Sequence, residues 1–140
     1  MSFLLDTCVI SELVAKQPNP AVLHWVDSID ENMMFLSAIT IGEIKRGIEK
    51  LPDSSRKSAL EDWLESDLLI RFRDKILSID AAVMLVWGQL AADLEKQGKP
   101  MPAVDSLIAA TCLQGKLDLV TRNESDFVNS GVTVINPWEQ

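Results

Sequence analysis

Four acidic residues of this sequence stand beside predicted strand or helix ends, where their carboxylates could share one site. They are Asp6, Glu43, Asp105 and Asp126. Carboxylates that converge repel one another, and their pKa values rise unless a cation is present. Oxygen-only ligand sets suit the hard cations Mg²⁺ and Mn²⁺, and such ions activate water and stabilise developing charge. The pattern therefore indicates metal-dependent hydrolysis of a phosphodiester.

Each acid taken alone also has a purely structural interpretation. Asp6 could cap the helix that follows it, and Glu43 fits a capping box with Thr40 in the spacing S/T-x-x-E. Asp105 would favour the helix dipole from the first turn of its helix, and Asp126 could be a loop acid or a cap. The joint placement of all four at element ends favours the chemical interpretation.

The composition narrows the classes of function. The 140 residues include 13 Lys and Arg against 21 Asp and Glu, a net charge of −8, which argues against a broad basic face for nucleic acid. The single His24 and the absence of tyrosine exclude multi-histidine metal sites and tyrosine nucleophiles. Cys8 and Cys112 belong to no CxxC pair, so we expect reduced thiols and a cytoplasmic protein.

Short apolar runs alternate with helical patterns along the chain, which predicts an α/β fold. The predicted strands cover 3–5, 33–37, 75–79, 117–121 and 132–135. The predicted helices cover 7–15, 20–29, 40–50, 55–69, 81–98 and 103–113, with Gly115 as the residue that ends the last one. Right-handed crossovers then give a mostly parallel sheet that binds ligands beyond the carboxyl ends of its strands. Asp6 and the segment after Thr121 should lie there.

The segments around these acids resemble a known family. The matching blocks are FLLDTCVISE over 3–12, TIGEIKRG over 40–47, MPAVDSLIAA over 101–110, LVTRNESDF over 119–127 and VINPW over 134–138. Together, in this order, they resemble the PIN-domain ribonucleases found as VapC or FitB-type toxins of type II toxin–antitoxin pairs. The blocks span nearly the whole chain, so the resemblance implies a single PIN domain over 1–140. It also implies a three-layer α/β/α fold with a central, mostly parallel sheet of four to five strands.

The resemblance also implies roles for individual residues. Asp6, Glu43 and Asp105 are implied to be the three core catalytic and metal-binding acids. The fourth family position varies; here either Asp126 or Asn123 occupies it, and we favour Asp126 for its charge. The implied supporting residues are Thr7, Thr121 and Asn123. The implied reaction is hydrolysis of RNA phosphodiesters by a water that Mg²⁺ or Mn²⁺ activates, with 5′-phosphate and 3′-hydroxyl products.

One position departs from the family pattern. The residue after the Asp-Thr pair is usually asparagine, and here it is Cys8, so no role of that amide carries over to this chain. Cys8 alone is interpreted as a small, partly buried apolar residue. Glu12 could be a surface charge or could pair with Arg46.

The remaining expectations concern binding partners. Phosphate contacts could come from Lys45, Arg46, Lys50 and Arg122, although a solvated helix face explains the first three equally well. The resemblance implies an antitoxin that inserts a basic residue among the acids and an amphipathic helix into an apolar groove, a homodimer, and DNA contact only through the antitoxin. Trp25, Trp63 and Trp87 could line such a groove or a dimer face, with core packing as the simpler interpretation.

Three other functions compete with the ribonuclease. A haloacid-dehalogenase-like phosphatase also starts with a strand that ends in Asp, but it needs a second Asp at the position of Cys8. A response-regulator receiver needs an acid pair before Asp6, and residues 1–5 contain no acidic residue. A catalytically inert PIN-fold binding module is the main alternative, and the retention of all core acids argues against it because clustered like charges destabilise a fold.

Overall fold

A computed structural model describes residues 1–139, and its centre is a parallel sheet. The strands are β1 (Phe3–Leu5), β2 (Met34–Ser37), β3 (Ile76–Leu77), β4 (Asp118–Val120) and β5 (Val134–Ile135). Their order across the sheet is β3-β2-β1-β4-β5, and every neighbouring pair is parallel. The carboxyl ends of all five strands therefore meet at one edge, which is the edge where such sheets bind ligands.

Helices connect the strands. They are α1 (Thr7–Leu13), α2 (Pro20–Ser28), α3 (Ala38–Glu49), α4 (Ser55–Trp63), α5 (Leu69–Arg71), α6 (Ala81–Lys96) and α7 (Ala103–Gly115). A π-helical segment, Leu64–Leu68, joins α4 to α5. Single 3₁₀ turns precede β2 and follow β4 and β5.

The strands place alternate side chains on opposite faces of the sheet, and this alternation produces three layers. Phe3, Leu5 and Val120 face a core built mainly with α1 to α4. Leu4 and Leu119 face a second core built with α7 and part of α6. The predicted three-layer α/β/α fold with a parallel sheet is thereby confirmed.

Helix capping explains where several helices begin. Asp6, Asn19 and Asp80 each accept a backbone N–H of the helix they precede, from Thr7, Ala21 and Val83 respectively, as a side-chain oxygen at that position does. All three beginnings agree with the predicted ones.

The prediction was wrong for α3, which begins at Ala38 and not at Thr40. The Ser37 hydroxyl accepts the Ile39 N–H at 3.1 Å and caps the helix. Thr40 is therefore a buried residue of the first turn, and Glu43 lies one turn further along. The capping-box interpretation of Glu43 fails because its presumed partner already lies inside the helix.

Other boundaries differ by a few residues. The outer strands β3 and β5 have only two residues each, and each pairs with a neighbour on one side only. Gly115 lies within α7, and Lys116 takes the left-handed conformation after it, with φ of 56°, so the prediction placed this turn one residue too early. None of the helices within residues 1–139 is long and apolar enough to cross a membrane.

Candidate active site

Asp6 occupies the middle of the carboxyl edge of the sheet, directly after β1. Its backbone N–H donates to the Val120 carbonyl of the neighbouring strand β4 at 2.9 Å. One carboxylate oxygen, Oδ1, accepts the Thr7 N–H at 2.8 Å, and the other, Oδ2, accepts the Thr121 hydroxyl at 2.8 Å. Asp6 therefore caps α1 and is also fixed by the residue that follows β4.

Glu43 reaches the same edge from α3. Its Oε1 atom accepts the Thr7 hydroxyl at 2.5 Å, and the Thr7 and Thr40 hydroxyls lie 3.1 Å apart. Thr7 thus links two acids, because its N–H binds Asp6 and its hydroxyl binds Glu43. Thr40, which the sequence predicted only as a cap, belongs to this network.

Asp105 and Asp126 interact electrostatically with the other acids. Asp105 lies in the first turn of α7 and is partly buried, whereas Asp126 lies exposed in the 3₁₀ turn Glu124–Phe127. Burial raises the pKa of Asp105, and the negative charges of Asp126, Asp6 and Glu43 raise it further. Asp105 therefore lies close enough to the other three acids for their charges to raise its pKa.

At Asp6, burial and neighbouring negative charge act on the pKa against two hydrogen bonds. Burial raises its pKa, the hydrogen bonds from Thr121 and Thr7 lower it, and the charges of Glu43 and Asp126 raise it again, with a net result above the ordinary value. Such mutual repulsion disfavours the ionised carboxylates, and a nearby cation would favour them.

The donor set fits a hard divalent cation. All four side chains offer only oxygen, which suits Mg²⁺ or Mn²⁺ better than Zn²⁺. Within residues 1–139, no three acidic, histidine or cysteine side chains already stand close enough together to hold a metal ion. Mg²⁺ needs only one or two direct carboxylate ligands and keeps several waters, so it does not require three of these side chains in direct contact with it.

Thr121 and Cys8 line the inner wall of the site. Thr121 is fully buried, donates to Asp6 and accepts the Asn123 N–H at 3.1 Å. The Cys8 sulfur lies 3.4 Å from the Thr121 hydroxyl and accepts the Arg122 N–H at 3.5 Å. Burial raises the pKa of the Cys8 thiol, so a neutral thiol packs at the position where the family pattern has an amide.

The predicted basic residues are spread over different surfaces. Lys45 forms an ion pair with Glu49 at 2.9 Å on the exposed face of α3, so the structure does not bring it to the acids. Arg46 and Lys50 are exposed on the same helix. Arg122 immediately follows Thr121, and its guanidinium carbon lies 5.6 Å from the centre of the Trp138 ring.

Glu12 takes neither of its two predicted roles. Its Oε1 atom accepts the Trp138 indole N–H at 3.1 Å, and its Oε2 atom accepts the Asn19 N–H at 3.3 Å. Trp138 therefore links the end of the chain to α1 beside the site. The sequence offered only the block VINPW as a signal for this contact, because the two partners lie 126 positions apart.

Of the three other tryptophans, Trp25 and Trp87 make contacts within the fold, and Trp63 also lines a cleft. Trp25 meets Phe3 edge to face with ring centres 5.2 Å apart, and the Trp87 indole N–H donates to the Ser106 hydroxyl at 2.9 Å, which joins α6 to α7. Trp63 packs against the first core and also lines a cleft.

An apolar cleft adjoins the acids. It has a volume of about 240 Å³ and lies between α1, α3 and α4. Its lining residues are Thr7, Ser11, Val14, Glu43, Ile44, Gly47, Ile48, Leu51, Arg56, Leu60 and Trp63. Because Thr7 and Glu43 belong to both, the cleft opens directly beside the acid site.

Comparisons with known proteins agree with this fold and site. The family model described as PIN domain matches residues 3–129. The chain is 38% identical over 135 residues to Toxin FitB of Neisseria gonorrhoeae, covering 96% of this chain and 97% of that one. It is 35% identical over 136 residues to VapC ribonuclease Y4jK of Sinorhizobium fredii, covering 97% of each.

A solved structure shares the architecture. The structure of FitAB bound to an IR36 DNA fragment contains a chain that is 37% identical, with a TM-score of 0.92 over 97% of this chain and 95% of that one. The region that the PIN family model matches, residues 3–129, includes all four acids. The chain therefore belongs to the PIN domain family.

Proposed function

We propose that this chain is a Mg²⁺- or Mn²⁺-dependent endoribonuclease and the toxin of a type II toxin–antitoxin pair that acts in the cytoplasm. The observation that carries the proposal is the convergence of Asp6, Glu43, Asp105 and Asp126 at one edge of the sheet, where burial and mutual repulsion raise the pKa values of Asp6 and Asp105. The relatives named as a toxin and as a VapC ribonuclease support it.

Each side chain has a distinct part in this proposal. Asp6 and Asp105 are the more buried acids and would hold the metal most directly, with Glu43 and Asp126 completing the set from the solvent side. The bound ion would supply a nucleophile from water and charge stabilisation at phosphorus. Thr7 and Thr121 orient the carboxylates by donating to Glu43 and Asp6, which reduces the freedom that the site must lose when it binds substrate.

Cleavage of a mixed RNA pool by the purified chain, freed of any partner, tests the enzyme. The assay compares Mg²⁺, Mn²⁺ and EDTA, with Asp6→Asn as the variant that keeps the side-chain shape. We expect cleavage that requires a metal and is lost in Asp6→Asn. Absence of both cleavage and Mn²⁺ binding would instead indicate an inert PIN-fold module that only binds a partner.

We also propose that the apolar cleft holds the amphipathic helix of the antitoxin. Ile44, Ile48, Leu60 and Trp63 supply an apolar lining of the right kind, and Glu43 beside them offers a charge for a basic side chain of the partner. Gly47 lies on the wall of the cleft, and a Cβ added there meets nothing within 4 Å. In a pull-down from the native host, Gly47→Leu should retain ribonuclease activity and lose the bound antitoxin.

The chain's net charge of −8 supports DNA contact only through the antitoxin, because the DNA backbone repels an acidic surface. The exposed apolar side chains on α6 and α7 are Met84, Leu85, Val104 and Leu113. Leu85 and Leu113 line one shared surface depression, which supports a homodimer because exposed apolar patches are typical of interfaces. Light scattering should give twice the 15.5 kDa of one chain.

A further inference from the structure

Arg122 is an exposed cation that the fold fixes beside the acid site. It follows Thr121, the partner of Asp6, and its own backbone N–H donates to Cys8 at 3.5 Å. Its guanidinium carbon lies 5.6 Å from the centre of the Trp138 ring, which is within the range of a cation–π contact. The backbone and the side chain of Arg122 are thus both held in place.

The Trp138 ring that contacts Arg122 is itself held by a second partner, Glu12. The Trp138 indole N–H donates to Glu12 at 3.1 Å, and Glu12 also accepts the Asn19 N–H at 3.3 Å. Glu12 lies on α1, whose first residue contacts both Asp6 and Glu43. A chain of contacts therefore runs from the acid site through α1 and Trp138 back to Arg122.

The charge of Arg122 is left available by these contacts. Among the carboxylates of residues 1–139, none lies within ion-pair distance of its guanidinium, whereas Lys45, Lys57 and Arg71 each have an acidic partner. A ring contact occupies the face of a guanidinium, while its N–H groups lie along the edge and match phosphate oxygens.

We propose that Arg122, held on the Trp138 ring by Glu12, binds a backbone phosphate of the RNA at the rim of the acid site. This inference rests on the proposed ribonuclease function. An RNA strand that approaches four carboxylates on a chain of net charge −8 needs a local positive contact, because phosphate affinity comes mainly from neutralised charge. Trp138 and Glu12 are positioning residues in this arrangement.

The test measures RNA affinity separately from cleavage. The probe is a fluorescein-labelled, mixed-sequence single-stranded RNA, bound in Mg²⁺ to the full chain that carries Asp6→Asn. Adding Arg122→Ala should weaken binding about tenfold, as expected for loss of a charge-assisted hydrogen bond, and should reduce the slope of log affinity against log salt by about 0.7. Arg73→Ala is the matched control, because Arg73 is exposed and precedes β3 at the opposite edge of the sheet; its affinity should not change.

A second variant tests the role of the ring. Trp138→Leu keeps an apolar side chain and should weaken RNA binding about threefold, in line with an exposed cation–π contact. In the double variant Arg122→Ala/Trp138→Leu, affinity should equal that of Arg122→Ala alone, because the ring acts only through the guanidinium. Urea unfolding of each variant separates this effect from loss of the fold.

Three results would overturn the inference, and the third would overturn the proposed function with it. If the wild-type chain cleaves RNA and the Asp6→Asn chain binds it, but adding Arg122→Ala leaves binding as tight as adding Arg73→Ala does, Arg122 does not contact the RNA and the ribonuclease assignment stands. If the effects of Arg122→Ala and Trp138→Leu on affinity are additive, the ring does not position the guanidinium. If the Asp6→Asn chain does not bind RNA and the wild-type chain does not cleave it, the proposed function fails together with this inference.

Discussion

Replacing Thr121 by valine should uncouple Asp6 from the strand beside it. The side chain is fully buried, and its hydroxyl donates to Asp6 Oδ2 at 2.8 Å while it accepts the Asn123 N–H at 3.1 Å. Valine keeps the shape and removes both bonds. A hydrogen bond to a charged group contributes about 1.5–3 kcal/mol, so we expect Thr121→Val to lower the free energy of unfolding by about 2 kcal/mol at neutral pH.

This loss should depend on pH in a defined direction. The Thr121 bond lowers the pKa of Asp6, so removing it raises the pKa of a carboxyl that is already above its ordinary value. An acid with a raised pKa in the folded state destabilises the fold when ionised, fully above the folded pKa and less as the pH falls through it. The difference between Thr121→Val and the parent should therefore be smaller at acidic pH, nearer the ordinary pKa of a carboxyl, than at neutral pH.

Urea unfolding in EDTA, followed by tryptophan fluorescence, measures this difference. Thr121→Ser is the control because it keeps the hydroxyl and removes one methyl group, which costs about 1 kcal/mol at any pH. Cleavage should fall at least tenfold in Thr121→Val and only a few-fold in Thr121→Ser. A loss of stability in Thr121→Val that is the same at both pH values would show that the hydroxyl does not govern the charge of Asp6.

Three further predictions concern charge, metal and backbone. Asp105→Asn should abolish cleavage and yet raise the free energy of unfolding in EDTA, because it removes one of the repelling charges; a lower unfolding free energy would contradict this account. Mg²⁺ at about 100 times its dissociation constant should raise the free energy of unfolding of the parent by about 2.7 kcal/mol, and that of Asp105→Asn by much less. Thermal unfolding measures both values, and equal stabilisation would show that the ion binds elsewhere. Gly47→Ala should raise the free energy of unfolding by about 0.5–1 kcal/mol, since Gly47 lies in a helix with free space around it. Gly98→Ala should lower the free energy of unfolding, because Gly98 has a φ of +71°. A change of the same sign in both variants would refute the reasoning.

Much of the architecture follows from local signals. Asp6, Asn19 and Asp80 each precede an apolar helical pattern, and each caps the predicted helix. The meeting of the four acids follows from a topological rule, because parallel strands bring their carboxyl ends to one edge. Neither inference required knowledge of side-chain contacts.

The errors arise where two local signals compete or where partners are distant in sequence. Thr40 and Glu43 have capping-box spacing, but Ser37 lies nearer the end of β2 and caps α3 first. The Glu12–Trp138 contact joins residues 126 positions apart, and no periodic pattern encodes such a pair. It forms because the turn Pro137–Glu139 packs against α2, which brings Trp138 within reach of Glu12 on α1.

The chemical nature of the RNA ends after cleavage tests the central claim most directly. If the four acids act through a bound metal ion that supplies water as the nucleophile, digestion in Mg²⁺ should leave a 5′-phosphate and a 3′-hydroxyl, and both EDTA and Asp6→Asn should stop it. Labelling of the products by kinase and by ligase, each with and without phosphatase, distinguishes the possible ends. Products that carry a 2′,3′-cyclic phosphate, or cleavage that continues in EDTA, would contradict the account.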